Sequence, residues 1–194
     1  MKSNIAMWSN SMLLWFILPL LACGSNKGKI LSETEKEMLM YRGDSITIEM
    51  QGVLLEQVSA AMKKGGADYA VDFCNVQAMP LTDSMSAQMN VAIQRLSDKN
   101  RNPDNALKTS ADSLAWTKIA AAKTAFIEQD NNGAVYYYKP IMAAMPACLK
   151  CHGGQDDIAE STQKIIALKY PKDKATGYAT GDLRGMWKIK MNMD

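Results

Sequence analysis

The chain of 194 residues contains one histidine, and it directly follows a closely spaced cysteine pair: Cys148-Leu149-Lys150-Cys151-His152. This clustering constrains the fold more than any other feature of the sequence. Sites that need two or three histidines are impossible within one chain, which removes most histidine-rich zinc centres and any bis-histidine haem. Two cysteines three apart followed by histidine form the attachment pattern of c-type haem. Each cysteine can form a thioether to one vinyl group of the porphyrin, and the next residue then lies beneath the ring, where its imidazole reaches the iron. A chain with this pattern is expected to fold around one covalent haem c, with Cys148 and Cys151 holding the porphyrin and His152 the metal. A zinc site from Cys74, Cys148, Cys151 and His152 is disfavoured, because adjacent residues 151 and 152 rarely ligate one tetrahedral ion. A thioredoxin-type redox pair is disfavoured because the motif follows Pro140-Ile-Met-Ala-Ala-Met-Pro146 rather than a strand leading straight into a helix.

The cofactor agrees with the start of the chain. Lys2 precedes an apolar run, Met12 to Ala22, which is too short to span a bilayer and reads as the core of an export signal. The run ends Leu20-Leu21-Ala22-Cys23-Gly24, which resembles a bacterial lipobox, so Cys23 is the expected lipidated first residue of the mature protein. The expected division is therefore residues 1–22 as lipoprotein signal peptide, 23–30 as tether and 31–194 as a c-type haem domain. The expected location is the periplasmic side, anchored to a membrane by the N-terminal lipid. Absence of Asp after Cys23 points to the outer rather than the inner membrane. With 22 Lys and Arg against 20 Asp and Glu, the chain lacks the basic surplus of a nucleic-acid binder.

Along the mature chain, Ser32 and Glu35 have capping-box spacing, and Ile46, Met50, Val53, Leu54, Val58 and Ala61 recur at helical intervals up to Lys63. Gly65-Gly66 is expected to stop that helix, and a second is expected from Ala67 to Val76, before Pro80. Met89 to Leu96 suits either strand or helix, with Val91, Ile93 and Arg95 on one side. Asp98 to Asn105 is a polar loop by composition, Ala111 to Phe126 a helix, and Asp130-Asn-Asn-Gly133 a turn. Val135 to Tyr138 has strand propensity, its tyrosines alternating between core and solvent. Ile158 to Leu168 is amphipathic, and Met186 to Met191 alternates apolar and basic residues as a half-buried strand does. Helices first, then strands mixed with helices, argue for an α+β domain.

With one histidine used, the iron's other side needs a different ligand or none. Cys74 is the one thiol left over, and Met79, Met89, Met142, Met145 and Met186 are the methionine candidates; on the residues alone the two types stand level. Arg101, Tyr138 and Lys139 are candidates for contacts to haem propionates, because cations and hydroxyls suit that edge.

Several stretches together resemble a family of periplasmic c-type haem domains first catalogued as a domain of unknown function. They are Val71-Asp-Phe-Cys74, Arg101-Asn-Pro103, Tyr137-Tyr-Lys-Pro-Ile141, Cys148 to Gly153, Tyr170-Pro-Lys-Asp-Lys-Ala-Thr-Gly177 and Gly181-Asp-Leu-Arg-Gly185. The resemblance implies a PAS-like antiparallel sheet with N-terminal helices, and Cys74 as the distal ligand to iron. It also implies two uses, since family members occur alone and as the sensing part of histidine kinases.

Thiolate opposite histidine pushes electron density onto iron and lowers its potential. The expected function is electron transfer or redox buffering by an exported monohaem lipoprotein working with a separate redox partner. The alternative is a redox or gas (CO or NO) sensor signalling through another protein. No enzymatic activity is expected, because the lone histidine cannot also serve as a distal acid–base.

Overall fold

The computed structural model describes residues 30–193; the expected signal peptide and Cys23 lie outside the described residues. The chain runs α1 (Glu33–Gln88), β1 (Ala92–Leu96), a 3₁₀ turn (Pro103–Asn105), α2 (Ser110–Ala122), β2 (Phe126–Gln129), β3 (Val135–Met142), α3 (Pro146–His152), α4 (Glu160–Lys169) and β4 (Leu183–Met191). The strands form one antiparallel sheet in the order β1-β4-β3-β2, so the fold is α+β.

Helix α1 starts as its capping residues require. Ser32 Oγ accepts from the Glu35 N–H, and the Glu35 carboxylate accepts from the Ser32 N–H at 2.8 Å. The glycine pair breaks the helix without ending it: Gly65 (φ −161°, ψ 27°) and Gly66 (φ 68°, ψ −163°) leave helical geometry, and a second arm continues. Gly66 occupies a region open essentially to glycine alone. The second arm runs to Gln88, twelve residues past the expected Val76, and takes Pro80 into its interior. Around this proline the Ala78 carbonyl accepts from the Thr82 hydroxyl (2.8 Å) and from Arg95 Nη2 (3.3 Å).

The first arm of α1 covers one face of the sheet. Leu39, Ile46 and Met50 pack there against Ile93, Val135, Tyr137, Trp187 and Ile189. Gly43 permits the closest approach, since a Cβ there would lie 2.3 Å from the Tyr137 ring. Helix α2 covers the other face, with Ala115 and Ile119 on Leu96, Tyr138 and Met186. The tyrosine run therefore alternates between two cores rather than between core and solvent. Tyr137 faces α1, while Tyr138 stacks on Phe126 at 5.0 Å beneath α2.

Two boundaries differ from expectation. Lys123 turns left-handed (φ 53°) and ends α2 at Ala122. Phe126, expected in that helix, instead opens β2 opposite Tyr138. The ambiguous Met89–Leu96 segment resolves as β1 because its apolar residues pair with β4, Ile93 opposite Ile189.

The second arm of α1 packs on α4 around Val71, Ile158 and Ile166. Polar ties fix it: Lys169 pairs with Asp72 (2.8 Å), Asn75 donates to the Lys169 carbonyl (3.3 Å), and Asp68 accepts from Ser161 and Thr162. No described helix is long and apolar enough to cross a membrane.

Candidate cofactor site

Cys148, Cys151 and His152 share the two turns of α3, which begins at Pro146, a residue suited to the first helical turn. The three described cysteines, Cys74, Cys148 and Cys151, are free thiols, each half-buried. Cys148 joins a small cluster of Ala143, Ala175 and Tyr178, while Cys151 packs with Val71, Ile165 and Tyr170. The pair thus leans on two different parts of the fold.

The segment after α4 fixes the histidine. His152 Nδ1 lies 2.8 Å from the Ala175 carbonyl, so the ring proton sits on Nδ1 and donates to that oxygen. Nε2 keeps its lone pair free for an electrophile, the arrangement found behind metal-bound imidazoles. Arg184 Nε stands 3.4 Å from the same nitrogen, and with the ring proton committed it acts there as a neighbouring charge rather than a donor. Burial, reinforced by the cations Arg184 and Arg101, pushes the His152 pKa well below its ordinary value despite the Ala175 bond. The ring is therefore the neutral, ligating form at physiological pH. Tyr178 meets it edge-on at 6.4 Å, and its backbone N–H donates to the His152 carbonyl at 3.0 Å.

Arg101 lies in the loop after β1 and is committed to protein partners. Its Nη2 donates to the Cys151 carbonyl at 2.6 Å, and its guanidinium pairs with Asp173 at 3.1 and 3.2 Å. Asp173 in turn accepts from the Ala175 N–H at 2.9 Å. One chain of contacts thus joins the loop after β1, the end of α3 and the carbonyl that orients His152.

Cys74 comes to this cluster from the second arm of α1. Burial raises its thiol pKa, and the charges of Arg95 and Arg101 pull it partly back. Cys151 is also raised by burial and, after the opposing Arg101, by the neighbouring Cys74 and Cys148. The arm that carries Cys74 meets the attachment motif through Val71, which packs with Cys151.

Arg95, Arg184, Tyr170 and Tyr178 complete the surroundings and were not singled out individually from sequence. Arg95 is detectable in hindsight: the alternation that put Val91 and Ile93 on the apolar side of β1 put this arginine there too. Its Nε is buried without a hydrogen-bond partner, a donor aimed at nothing in the protein. Tyr138 and Lys139 are not brought to the cluster. Tyr138 lies in the core beneath α2, and Lys139 pairs with Asp44 of α1 at 2.6 Å.

Neither a cleft of about 550 Å³ beside Gly153, Ile166 and Tyr170 nor one beside Gly65 and Tyr69 is lined by Cys74, Cys148, Cys151 or His152. Large cationic and aromatic side chains pack around these groups, with Arg101 over Tyr170 and Arg184 over Tyr178. No three described Cys, His, Asp or Glu side chains converge as a metal ion's ligands do. The donor set suits a group held at separate points by two thiols and an imidazole, with buried cations beside it for an anionic edge.

Comparison with known proteins agrees with this architecture. A family model described as Tll0287-like, Tll0287, matches residues 25–192. No curated protein matches the chain. Among solved structures, the chain is similar to the cyanobacterial heme-protein Tll0287, at 24% identity, covering 76% of this chain and 96% of that one with a TM-score of 0.52. That likeness speaks for the fold. With nearly the whole described chain inside the family match, this protein belongs to the Tll0287-like family.

Proposed function

We propose that this protein is an exported c-type haem protein that carries or buffers electrons. Cys148 and Cys151 would hold the porphyrin by thioethers, His152 Nε2 would bind the iron, and Cys74 would bind it from the opposite side. The group would supply a one-electron couple, set low by thiolate ligation. The observation that carries the reading is the 2.8 Å bond from His152 to Ala175 directly behind the Cys-x-x-Cys pair, which readies the imidazole's free nitrogen for metal. The name heme-protein borne by the similar solved structure supports it. Arg95 and Arg184, both half-buried beside the cluster, suit carboxylate groups of the cofactor.

Electron transfer is favoured over sensing because the arm bearing Cys74 is clamped to α4 through Asp68, Asp72 and Asn75. A thiol carried on a clamped arm would be held at the same place through a change of oxidation state, which suits small reorganisation on electron transfer. The second reading, a redox or gas sensor, draws on the break at Gly65–Gly66, which separates that arm from the first. The proposal further places the protein on the periplasmic side as a lipoprotein anchored through Cys23, in the outer membrane, exchanging electrons with a separate protein and catalysing no reaction itself.

The test is a pyridine haemochrome assay on protein matured in an exporting host with its haem-attachment machinery, after acid–acetone extraction. Retention of one haem per chain with a c-type spectrum is expected. Haem released into the extract would overturn covalent attachment.

A further inference from the structure

The first arm of α1 is apolar on two opposite sides, and only one of them meets the sheet. On the outer side Met38, Tyr41, Ile48 and Leu55 are exposed, Tyr41 at 77% and Ile48 at 66%. Between the large residues stand Ser45, Gly52 and Ser59, so that large and small side chains alternate at spacings of three and four. That is the period of a helix–helix seam. A helix apolar on both sides is ordinarily covered on both.

Gly52 adds an independent observation. Glycine in mid-helix is unfavourable and is retained where something needs its space. At Gly43 the need is evident, since a Cβ would strike Tyr137. At Gly52 a Cβ would meet nothing within 4 Å, so nothing among the described residues requires the glycine.

We infer that this face binds a second copy of the same chain, the two first arms packing antiparallel about a two-fold axis level with Met50. In that register Gly52 lies against Ile48 of the second copy, Ser45 against its Leu55, and Ser59 against its Tyr41. Each large side chain meets a small one, and two-fold symmetry doubles every contact. A parallel pair would instead set Ser45, Gly52 and Ser59 against their own copies, leaving three successive layers underfilled. Charge agrees with the antiparallel choice. Arg42, Glu49 and Glu56 share one flank of the seam, and the axis brings Arg42 beside Glu56 of the second copy, twice. Glu49 meets its own copy at the axis. A parallel pair keeps Arg42 near Glu37 but sets Glu56 beside Gln51, leaving it without a cation across the seam.

Sedimentation equilibrium of the purified full chain at low ionic strength tests this, with circular dichroism confirming that each variant is folded. The expected species is a dimer; a monomer across the accessible concentration range would overturn the inference. Ile48→Glu, at an exposed position, is expected to weaken the dimer about 100-fold or more. Gly52→Leu is expected to weaken it while leaving the melting of the dilute, monomeric chain unchanged or raised. Orientation is read by charge exchange. Arg42→Glu and Glu56→Arg are each expected to weaken association about tenfold, and the two together to restore it. Failure of the pair to restore, or indifference to Glu56→Arg, would overturn the antiparallel arrangement.

Discussion

Arg101 and Cys151 are joined by a 2.6 Å hydrogen bond from guanidinium to backbone carbonyl, across fifty residues of sequence. The same guanidinium is held by Asp173, and both side chains are about nine-tenths buried. Arg101 is therefore a positioning residue that ties α3 to the segment presenting Ala175. Arg101→Lys keeps the charge but loses the fork that reaches both partners. It is expected to lower stability by about 2–3 kcal/mol, read by thermal denaturation. It should also alter the optical spectrum of the matured protein, a change that a purely structural role distant from His152 would not produce.

Cys74→Ser removes the proposed distal thiol while leaving Cys148, Cys151 and His152 in place. Covalent haem content is expected to be unchanged, the ferric optical and electron paramagnetic resonance spectra to change, and the midpoint potential to rise as the electron-donating thiolate is lost. Unchanged spectra would return the distal position to a methionine or leave it open.

Carbon monoxide separates the two proposed uses. A clamped ligand arm predicts that the reduced protein is inert to CO while its redox cycle stays reversible. Rapid CO binding by the reduced protein, read in the Soret band, would favour the sensor.

Asp112 links the cap of α2 to the sheet. Its carboxylate accepts from the Thr109 N–H at 3.0 Å and from Lys188 of β4 at 2.7 Å, almost fully buried. Burial raises its pKa, but the Lys188 and Thr109 hydrogen bonds, the Lys188 charge and the Lys108 N–H outweigh this and hold it below its ordinary value. A depressed carboxylate contributes stability above its unfolded-state pKa, roughly pH 4, and loses it as pH falls through the lower folded value. Asp112→Asn is expected to cost about 3 kcal/mol near neutral pH, or roughly 10 °C in melting temperature. The difference from the parent should shrink below roughly pH 4.

Gly66 carries the break in α1 at φ 68°. Gly66→Ala is expected to cost about 1–3 kcal/mol by denaturant melting. A neutral effect would mean that the two arms can join as a continuous helix.

The attachment motif was legible because it is local: five consecutive residues carry it, and one turn of helix brings them together. The capping box at Ser32 and Glu35 and the break at Gly65–Gly66 were legible for the same reason. What sequence periodicity could not reveal was created by tertiary contact. The helix runs past Pro80 into an arm held by contacts from elsewhere, among them Arg95 of β1, which reaches the Ala78 carbonyl. Phe126 leaves the helix for a strand because Tyr138 pairs with it. Tyr138 read as half-solvated because a single strand shows alternation but not what covers each side, and α2 covers this one. Arg101 was found as a residue but its partners were not, since Asp173 and Cys151 reach it only through the fold.

Strand β4 lies between β1 and β3, although it is the last strand to be made. The residues that orient His152 and anchor α3, from Asp173 to Arg184, immediately precede it. Residues 148 to 152 thus emerge during synthesis before the segment that orients His152. In that interval the two cysteines lie on a segment that lacks those contacts, and their half-buried setting is complete only once β4 has joined the sheet. The order of strands in the sheet would therefore let the proposed haem attachment come first and closure of the fold around the motif come after.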